Sequence, residues 1–319
     1  MKYLRKFKHV NAKTIDEAVA ALSTGKAMAN AGGTDLVGAL RFFIFPEDLY
    51  PKTIVNLKSI SPSLDYIKEE GGMLKIGALT RLEDIALSSV VKGHWTALAE
   101  AARRTASPHL REAGTIGGNI CQMNRCWYFR KGENRFDCIR KGGGMCYAMA
   151  GDNRYHSIFG AVNACVAVNP SDTVPALVAL NATIKTSKRD IPADEFWAVK
   201  VPGSTVLDVD EIVTEIQVPA FAGKSAFQKF ALRKSIDFPV ANCAVAISNG
   251  TARICMNAVY NNPRRATAAE EAINGKAINE ENAEAAGEAA VKGAVLLPLN
   301  KWKVQIAKTM VKRAILDCV

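Results

Sequence analysis

Long hydrophobic runs are absent from this sequence of 319 residues. No segment approaches the about 18 consecutive apolar residues of a membrane-spanning helix, and no apolar stretch follows the basic start MKYLRKFKHVNAKT. Hydrophobic residues make up 49% of the chain and charged residues 23%, which is typical of a globular protein. We therefore expect a soluble, cytoplasmic protein without membrane insertion, and export together with a signal-bearing partner stays open.

The common catalytic patterns are also absent. The four histidines are scattered, without a Ser/His/Asp or HExxH arrangement: they are His9, His94, His109 and His156. Lys and Arg give a net charge of +10, but they are spread along the chain and accompany no nucleic-acid-binding motif. We expect no catalytic side chain and no nucleic-acid partner, so a bound cofactor would carry the chemistry.

Four cysteines stand close together in the middle of the chain. Cys126, Cys138, Cys146 and Cys165 are separated by eleven, seven and eighteen residues. In a reducing compartment such a group indicates metal ligands rather than disulfides. The short CxxC pairs typical of structural zinc are missing, and four thiolates on a long loop can enclose a 4Fe-4S cluster. A role as small buried hydrophobes is the alternative.

The segment that carries these cysteines has no regular pattern. RCWYFRKGENRFDCIRKGGGMCYAMAGDNRYH (125–156) is rich in Arg, Lys, Gly and aromatic residues, with no period of two or 3.6. A loop this long inside a compact domain is usually functional or disordered, and its aromatic and cysteine content argues against disorder. A thiolate-bound metal would organise it.

Two glycine turns precede the cysteines, AGGTDL (31–36) and GTIGGN (114–119). Neither matches GxGxxG or GxxxxGK[ST], so neither predicts a Rossmann or P-loop site. Paired glycines let backbone N–H groups approach a pyrophosphate, and Thr34 and Thr115 add hydroxyl donors. Each could be a simple tight turn, but two in one domain indicate a dinucleotide site.

The remaining sequence predicts a mixture of helices and strands. Thr14 with Glu17 forms a capping box that predicts a helix over 14–22, and Thr80 with Glu83 predicts one through about Leu87. Further helices are predicted near 94–105, 266–294 and 300–317, and PALVALNATIKT (175–186) predicts a short helix that leads into another strand. Strands are predicted at KAMANA, TIVNL, MLKIGAL, ACVAVNP (164–170), EIVTEIQVP, SAFQKFAL, ANCAVAIS and ARICMNAVY. Strands followed by helices beyond residue 220 indicate a separate α+β domain.

Four motifs together resemble a known family. They are AGGTDL near residue 31, SPHLREAGTIGGN at 107–119, NPSDTVPALVALNATI at 169–184 and KFALRKSIDFPVA at 229–241. The combination is similar to the FAD-binding subunits of the molybdenum hydroxylases, which include the medium subunits of xanthine dehydrogenase and carbon monoxide dehydrogenase. The resemblance runs in register from about residue 3 to 316.

The resemblance implies an α+β fold in two domains. Residues 1–219 would form a two-part FAD-binding domain of the vanillyl-alcohol-oxidase (PCMH) type, with subdomains at about 1–58 and 59–219. A cysteine-bearing loop insertion would occupy about 120–166, and 220–319 would form a C-terminal domain with an antiparallel sheet and helices.

The cysteines narrow the resemblance to a cluster-bearing branch. The RCxYF start and the long stretch between Cys146 and Cys165 are similar to the periplasmic aldehyde oxidoreductases, with 4-hydroxybenzoyl-CoA reductase as a second relative. The resemblance implies that the 4Fe-4S ligands are Cys126, Cys138, Cys146 and Cys165. Cys121 matches no ligand position and is expected to be a spare thiol.

The resemblance also implies a set of FAD contacts. The first pyrophosphate loop would comprise Asn30, Ala31, Gly32, Gly33, Thr34, Asp35 and Leu36. The second loop would comprise Thr115, Gly117, Gly118 and Asn119. The flanking contact positions would be Thr105, Trp127, Asp172, Ile212 and Lys229. Packing roles are the alternative for the flanking positions, and Asp172 could equally cap the helix after it.

The family function follows from these cofactors. The chain would be an FAD and 4Fe-4S electron-transfer subunit that works with a molybdopterin-binding large subunit and a 2Fe-2S small subunit. NAD(P), ferredoxin or a quinone would serve as external acceptor or donor. Two alternatives stay open: a self-contained flavin-dependent oxidase or dehydrogenase, and a zinc-stabilised scaffold subunit without redox activity.

Overall fold

The protein is described by a computed structural model that covers residues 4–233 and 235–319. Residues 1–3, at the start of the predicted first domain, and Lys234, inside the KFALRKSIDFPVA motif, lie outside the described residues. Within these described residues there are three sheets, and helices pack against each of them.

The first sheet is parallel and is formed by the N-terminal residues. Its strand order is β1-β3-β2, with β1 at Lys8–Asn11, β2 at Ala27–Asn30 and β3 at Thr53–Asn56. Its helices are α1 (Ile15–Leu22) and α2 (Leu36–Arg41), followed by a 3-10 turn at Glu47–Leu49. The predicted capping of α1 is confirmed, because Thr14 Oγ1 accepts a hydrogen bond from Glu17 N at 3.1 Å.

The second sheet is antiparallel and combines strands from distant parts of the chain. Its order is β4-β5-β8-β6-β7, with β4 Ile67–Glu70, β5 Met73–Gly77, β6 Thr183–Thr186, β7 Asp190–Pro192 and β8 Val213–Pro219. Between β5 and β6 lie α3 Leu82–Leu87, α4 Ser89–His94, α5 Thr96–Arg103, α6 Pro108–Arg111, α7 Ile116–Cys121, α8 Trp127–Arg130, α9 Tyr147–Ala150 and α10 Thr173–Ala179. Leu74, Ile76, Leu98, Leu177 and Ile216 belong to its fully buried core.

The third sheet forms the predicted C-terminal α+β region. Its order is β12-β11-β10-β9, all antiparallel, with β9 Lys224–Phe230, β10 Ala241–Ser248, β11 Thr251–Asn257 and β12 Arg264–Arg265. Its helices are α11 Thr267–Ile273, α12 Glu280–Val291 and α13 Trp302–Leu316. Small residues of the helices, such as Ala283, Ala286 and Ala314, are fully buried, so helices and sheet approach closely.

Two local predictions are wrong. Thr80 does not cap α3, because its hydroxyl donates to Tyr66 O at 2.9 Å and accepts from Tyr66 N at 3.1 Å, and Arg81 takes the capping position without a side-chain bond. The predicted strand 164–170 is not formed either, apart from an isolated bridge at Cys165. The Asn261 amide donates to the carbonyls of Cys165 and Ala167 at 2.9 and 2.7 Å, in place of a neighbouring strand.

None of the helices in residues 4–233 and 235–319 combines the length and the apolar character that crossing a membrane requires.

Candidate functional site

A cavity of about 550 Å³ lies where the two glycine turns meet. The first turn connects β2 to α2, and the second leads into α7. A Cβ atom at Gly32 would lie 2.0 Å from the carbonyl oxygen of Ala113, so the two turns touch at a point that only glycine permits. Gly33 has a φ of 73°, a left-handed conformation that glycine adopts without strain. The glycines therefore bring the two turns to one site.

Most of the predicted FAD contacts line this cavity. They are Asn30, Ala31, Gly32, Gly33, Thr34, Asp35, Leu36, Thr105, Thr115, Gly117, Gly118, Asn119, Asp172 and Ile212. Lys229 does not line the cavity, but its Nζ atom lies 2.7 Å from the carboxylate of Asp172, which does. Trp127 lies apart from the cavity, with its ring 5.5 Å from the ring of Tyr155.

The second glycine turn is fixed by hydrogen bonds to the segment before α10. Thr115 Oγ1 accepts from Gly118 N at 3.2 Å and so caps α7. Asn119 Oδ1 accepts from Thr173 Oγ1 at 2.7 Å and also from the hydroxyl of Ser171. Because both hydroxyls use the oxygen of the Asn119 amide, that side chain is held in one orientation at the cavity wall.

Asp172 is a buried carboxylate with two partners from the C-terminal sheet. Its oxygens accept from Lys229 Nζ at 2.7 Å and from Asn242 Nδ2 at 2.8 Å. Burial raises the pKa of Asp172, and Lys229 opposes that rise. Although Asp172 stands at the start of α10, its side chain does not cap the helix. The carboxylate therefore ties the cavity wall to β9 and β10.

Arg125 is a lining residue that the sequence did not identify. Its guanidinium lies 4.4 Å from the centre of the Phe238 ring, which also lines the cavity. Asp35 Oδ1 lies 2.9 Å from Arg125 and 2.7 Å from Arg130, so two guanidinium groups share one carboxylate. Burial and the nearby Arg130 lower the pKa of Arg125 to about 10, and Asp35 opposes them. The basic composition of residues 125–156 was the signal available in the sequence, but it did not show which of these side chains face the large cavity.

The four predicted ligand cysteines line a second, much smaller cavity of about 10 Å³. Its lining includes Cys126, Cys138, Cys146 and Cys165. Cys121 lines the large cavity instead. Across residues 4–233 and 235–319, no three His, Cys, Asp or Glu side chains are grouped closely enough to hold a metal ion. Thus the four thiols share one cavity without converging on a single point.

Burial dominates the electrostatics of the small cavity. It raises the pKa of Cys126 to about 12 and also raises the pKa values of Cys138 and Cys165. Arg140 and Lys141 are only 4% and 5% exposed. Arg140 bonds to Ser204 Oγ at 2.9 Å and lies 3.9 Å from Cys165 Sγ, and Lys141 donates to Phe136 O at 3.0 Å. Neither cation forms an ion pair with a carboxylate in the described part of the chain.

One segment of chain separates the two cavities. Met123 and Arg125 line the large cavity, whereas Asn124 and Cys126 line the small one. Such alternation is typical of extended backbone, in which successive side chains point to opposite sides. The two cavities therefore share a wall that is one chain thick.

Both cavities contain buried polar atoms without a partner among the described residues. On residues of the large cavity these are Asn30 Oδ1 and Arg125 Nε, and on residues of the small cavity they are Asn124 Nδ2 and Arg140 Nε. Buried polar groups are normally hydrogen-bonded. Each cavity therefore offers polar contacts that a bound group can satisfy.

The α+β fold and the glycine-lined cavity are those of a nucleotide-binding protein. Residues 5–221 match the family described as "FAD binding domain in molybdopterin dehydrogenase", and residues 225–318 match "CO dehydrogenase flavoprotein C-terminal domain". The chain belongs to this family of FAD-binding subunits, and it is an oxidoreductase subunit whose cofactor is FAD.

Individual relatives agree with this assignment. The FAD-binding subunit of an aldehyde oxidoreductase from Escherichia coli K12 is 29% identical over 257 residues, which is 76% of this chain and 78% of the relative. The carbon monoxide dehydrogenase medium chain of Hydrogenophaga pseudoflava is 29% identical over 331 residues, covering 97% and 96% of the two chains.

Solved structures show the same fold. The carbon monoxide dehydrogenase of Hydrogenophaga pseudoflava that lacks the Mo-pyranopterin moiety superposes with a TM-score of 0.75 at 28% identity, over 99% of this chain and 98% of that one. Quinoline 2-oxidoreductase from Pseudomonas putida 86 superposes with a TM-score of 0.74 at 20% identity, over 99% and 98%.

Proposed function

We propose that this chain is the FAD and 4Fe-4S electron-transfer subunit of a heteromeric molybdenum hydroxylase. It would pass electrons between the 2Fe-2S and molybdenum centres of partner subunits and an external acceptor or donor. The observation that carries the proposal is the pair of adjoining cavities, one lined by two glycine turns and the other by four thiols. The proposal includes a PCMH-type fold for residues 1–219 and a domain boundary near residue 220.

The large cavity fits FAD. A volume of about 550 Å³ is within the usual range for cofactor sites. The backbone N–H groups of the two glycine turns suit a pyrophosphate, and Arg125 adds positive charge that Asp35 only partly balances, since Arg130 shares the same carboxylate. We assign the FAD contacts to the lining residues of the two turns together with Thr105, Asp172 and Ile212, and we retain Lys229 and Trp127 as outer contacts.

The charges and thiols around the small cavity favour a negatively charged thiolate cluster. Two buried cations beside neutral thiols would be uncompensated, and an unpaired buried charge is strongly destabilising. Four thiolates with their iron and sulfide would supply the missing negative charge, and the free N–H groups of Asn124 and Arg140 could donate to sulfur. We assign the ligands as Cys126, Cys138, Cys146 and Cys165.

A single zinc ion suits this cavity less well. Tetrahedral zinc requires four sulfurs within about 2.3 Å of one point. The described residues contain no group of that kind, whereas a cluster of four irons takes one thiolate at each iron and tolerates a wider spacing. The observation that favours a polynuclear cluster is that the four thiols line one cavity.

The shared wall explains how the two sites can work as one unit. When bound, FAD exchanges one or two electrons and a 4Fe-4S cluster exchanges one. The chain's own contribution would be to hold the two cofactors on opposite sides of Met123–Cys126. Asp35, from the first glycine turn, accepts from Met123 N at 3.1 Å and so fixes this wall to the flavin site.

Partner subunits follow from the relatives. They are named as medium chains or FAD-binding subunits, and the names therefore imply further subunits. We propose a molybdopterin-binding large subunit and a 2Fe-2S small subunit as partners, because neither kind of site is evident in this sequence. The substrate would bind to the large partner.

The decisive experiment compares cysteine variants. The Cys138→Ser chain should lose most of its iron and sulfide while keeping its flavin absorption. The reason is that Cys138 lines the small cavity and not the large one. Cys121→Ser is the matched control and should keep both cofactors. Full iron content in Cys138→Ser would contradict the ligand assignment. Wild-type protein with flavin but no iron would indicate a self-contained flavoenzyme, and zinc without flavin would indicate a scaffold.

A further inference from the structure

His156 contacts one of the proposed ligands from outside the small cavity. Its Nε2 atom lies 3.2 Å from Cys126 Sγ, and the residue is only 3% exposed. It is not among the residues that line the cavity. The imidazole therefore reaches the sulfur without taking a position that a bound group would fill.

The contact with Cys126 is the polar interaction that satisfies the imidazole ring. Nδ1 is buried and has no hydrogen-bond partner among the described residues. The ring of Tyr128 lies 6.4 Å away and offers packing only. A buried imidazole is costly unless it is hydrogen-bonded, so the Nε2 contact accounts for the presence of a histidine rather than an apolar residue here.

Residues at the start of α13 hold His156 in place. Lys303 Nζ donates to the His156 carbonyl at 2.9 Å, and Asn300 Nδ2 donates to the carbonyl of Ser157 at 2.6 Å. Lys303 also donates to Tyr155 O at 3.1 Å and to Ala258 O at 2.9 Å, which uses all three of its N–H groups. The backbone of the histidine is thus fastened to the C-terminal region from two sides.

We propose that His156 donates Nε2–H to the sulfur of Cys126 and sets the reduction potential of the cluster. This inference rests on the proposed 4Fe-4S site. Reduction places more negative charge on the ligand sulfurs, and an N–H donor stabilises that charge, so the hydrogen bond raises the potential. His156 is a positioning and tuning residue, and the C-terminal region takes part in the redox site through it.

The test is a potentiometric titration of the cluster in the intact complex, followed by electron paramagnetic resonance. His156→Leu should lower the equilibrium constant for reduction of the cluster about tenfold. For one electron this is a fall of about 59 mV in the midpoint potential. His156→Gln should restore part of the potential, because its amide nitrogen occupies nearly the position of Nε2. His94→Leu removes an exposed histidine and should leave the potential unchanged.

The outcomes separate this inference from the proposed function. His156→Leu with full iron content and the wild-type potential would overturn the inference, whereas wild-type protein without iron would overturn the function itself. If His156→Leu binds no iron, His156→Gln and His156→Asn decide, since the Asn amide reaches only the position of Nδ1. A higher potential for Gln supports the hydrogen bond, and equal potentials overturn it.

Discussion

The large and the small cavity are neighbours, but they are built by different means. The large one is formed by backbone: two glycine turns that touch where Gly32 meets Ala113, with apolar and small residues around them. The small one is formed by side chains: four thiols with two buried cations beside them. A cavity lined by backbone accepts a ligand by shape, whereas the proposed cluster site would depend on charge and on bonds between thiolates and iron. Changes at the two sites should therefore have separable effects, except where a residue joins them.

Asp35 is the residue that joins the two sites, so its loss should have the largest effect. Asp35→Asn leaves Arg125 and Arg130 without their shared carboxylate. Unpairing these two partly buried cations should lower the free energy of unfolding by about 2 kcal/mol. Both flavin and iron content should fall, as measured by absorption and metal analysis beside urea unfolding. Asp48→Asn, at an exposed carboxylate, is the control, and loss of only one cofactor would refute the joining role.

Gly32→Ala should affect the large cavity alone. The new Cβ would lie 2.0 Å from Ala113 O and push the two glycine turns apart. Overpacking of this kind costs about 2 kcal/mol, so FAD affinity should fall about 30-fold while iron content stays unchanged. Flavin fluorescence titration of the stripped protein measures the affinity. Gly38→Ala, where a Cβ meets nothing within 4 Å, is the matched control, and equal affinities in the two variants would contradict the geometry.

Lys303 bonds to the carbonyl of His156, beside the small cavity, and should make the free energy of unfolding depend on pH. Burial lowers its pKa to about 7, whereas a lysine in the unfolded chain titrates near about 10.4. Between these values the unfolded chain binds more protons, so the lysine makes the free energy of unfolding rise with pH, by up to about 1.4 kcal/mol per unit.

Urea unfolding at pH 7, 8 and 9 measures that slope. The Lys303→Met variant should lack this contribution, so the difference in slope between wild type and variant isolates the lysine from the titrating thiols. Lys301→Met, at an exposed neighbour, should keep the wild-type slope. Parallel curves for wild type and Lys303→Met would contradict the low pKa of Lys303.

Arg125→Met should have the smallest effect. Arg125 lines the large cavity, but its guanidinium already forms an ion pair with Asp35, and the side chain is partly exposed. Loss of such a contact costs about 1 kcal/mol, so FAD affinity should fall about fivefold without loss of iron. Arg135→Met, at an exposed position of the same loop, should leave the affinity unchanged. Unchanged affinity in Arg125→Met would remove Arg125 from the flavin site.

The parts of the fold that depend on local sequence were predictable. The cap formed by Thr14 and Glu17 depends on residues that are neighbours in the chain, and the structure confirms it. Thr80 was misassigned because its hydroxyl is used by Tyr66, which is fourteen residues away in sequence. Residues 164–170 have the composition of a strand, but the Asn261 amide takes the carbonyls that a neighbouring strand would have used.

The contacts that join distant segments could not be predicted. Asp172 depends on Lys229 and Asn242, and Asp35 depends on Arg125 and Arg130. In both cases a carboxylate and its partners lie far apart in sequence, and no periodicity indicates that they meet. His156 was one of four scattered histidines in the sequence, and only the fold brings it to Cys126.

The wall at Met123–Cys126 makes the site sensitive to the length of the chain before Cys126. Because alternate residues face opposite cavities, deleting a single residue between α7 and Cys126 would exchange the two faces. Cys126 would then point toward the flavin side and Arg125 toward the thiols. A substitution in this segment is therefore easier to accommodate than the insertion or deletion of one residue. Deleting two residues would leave Cys126 on the side of the small cavity.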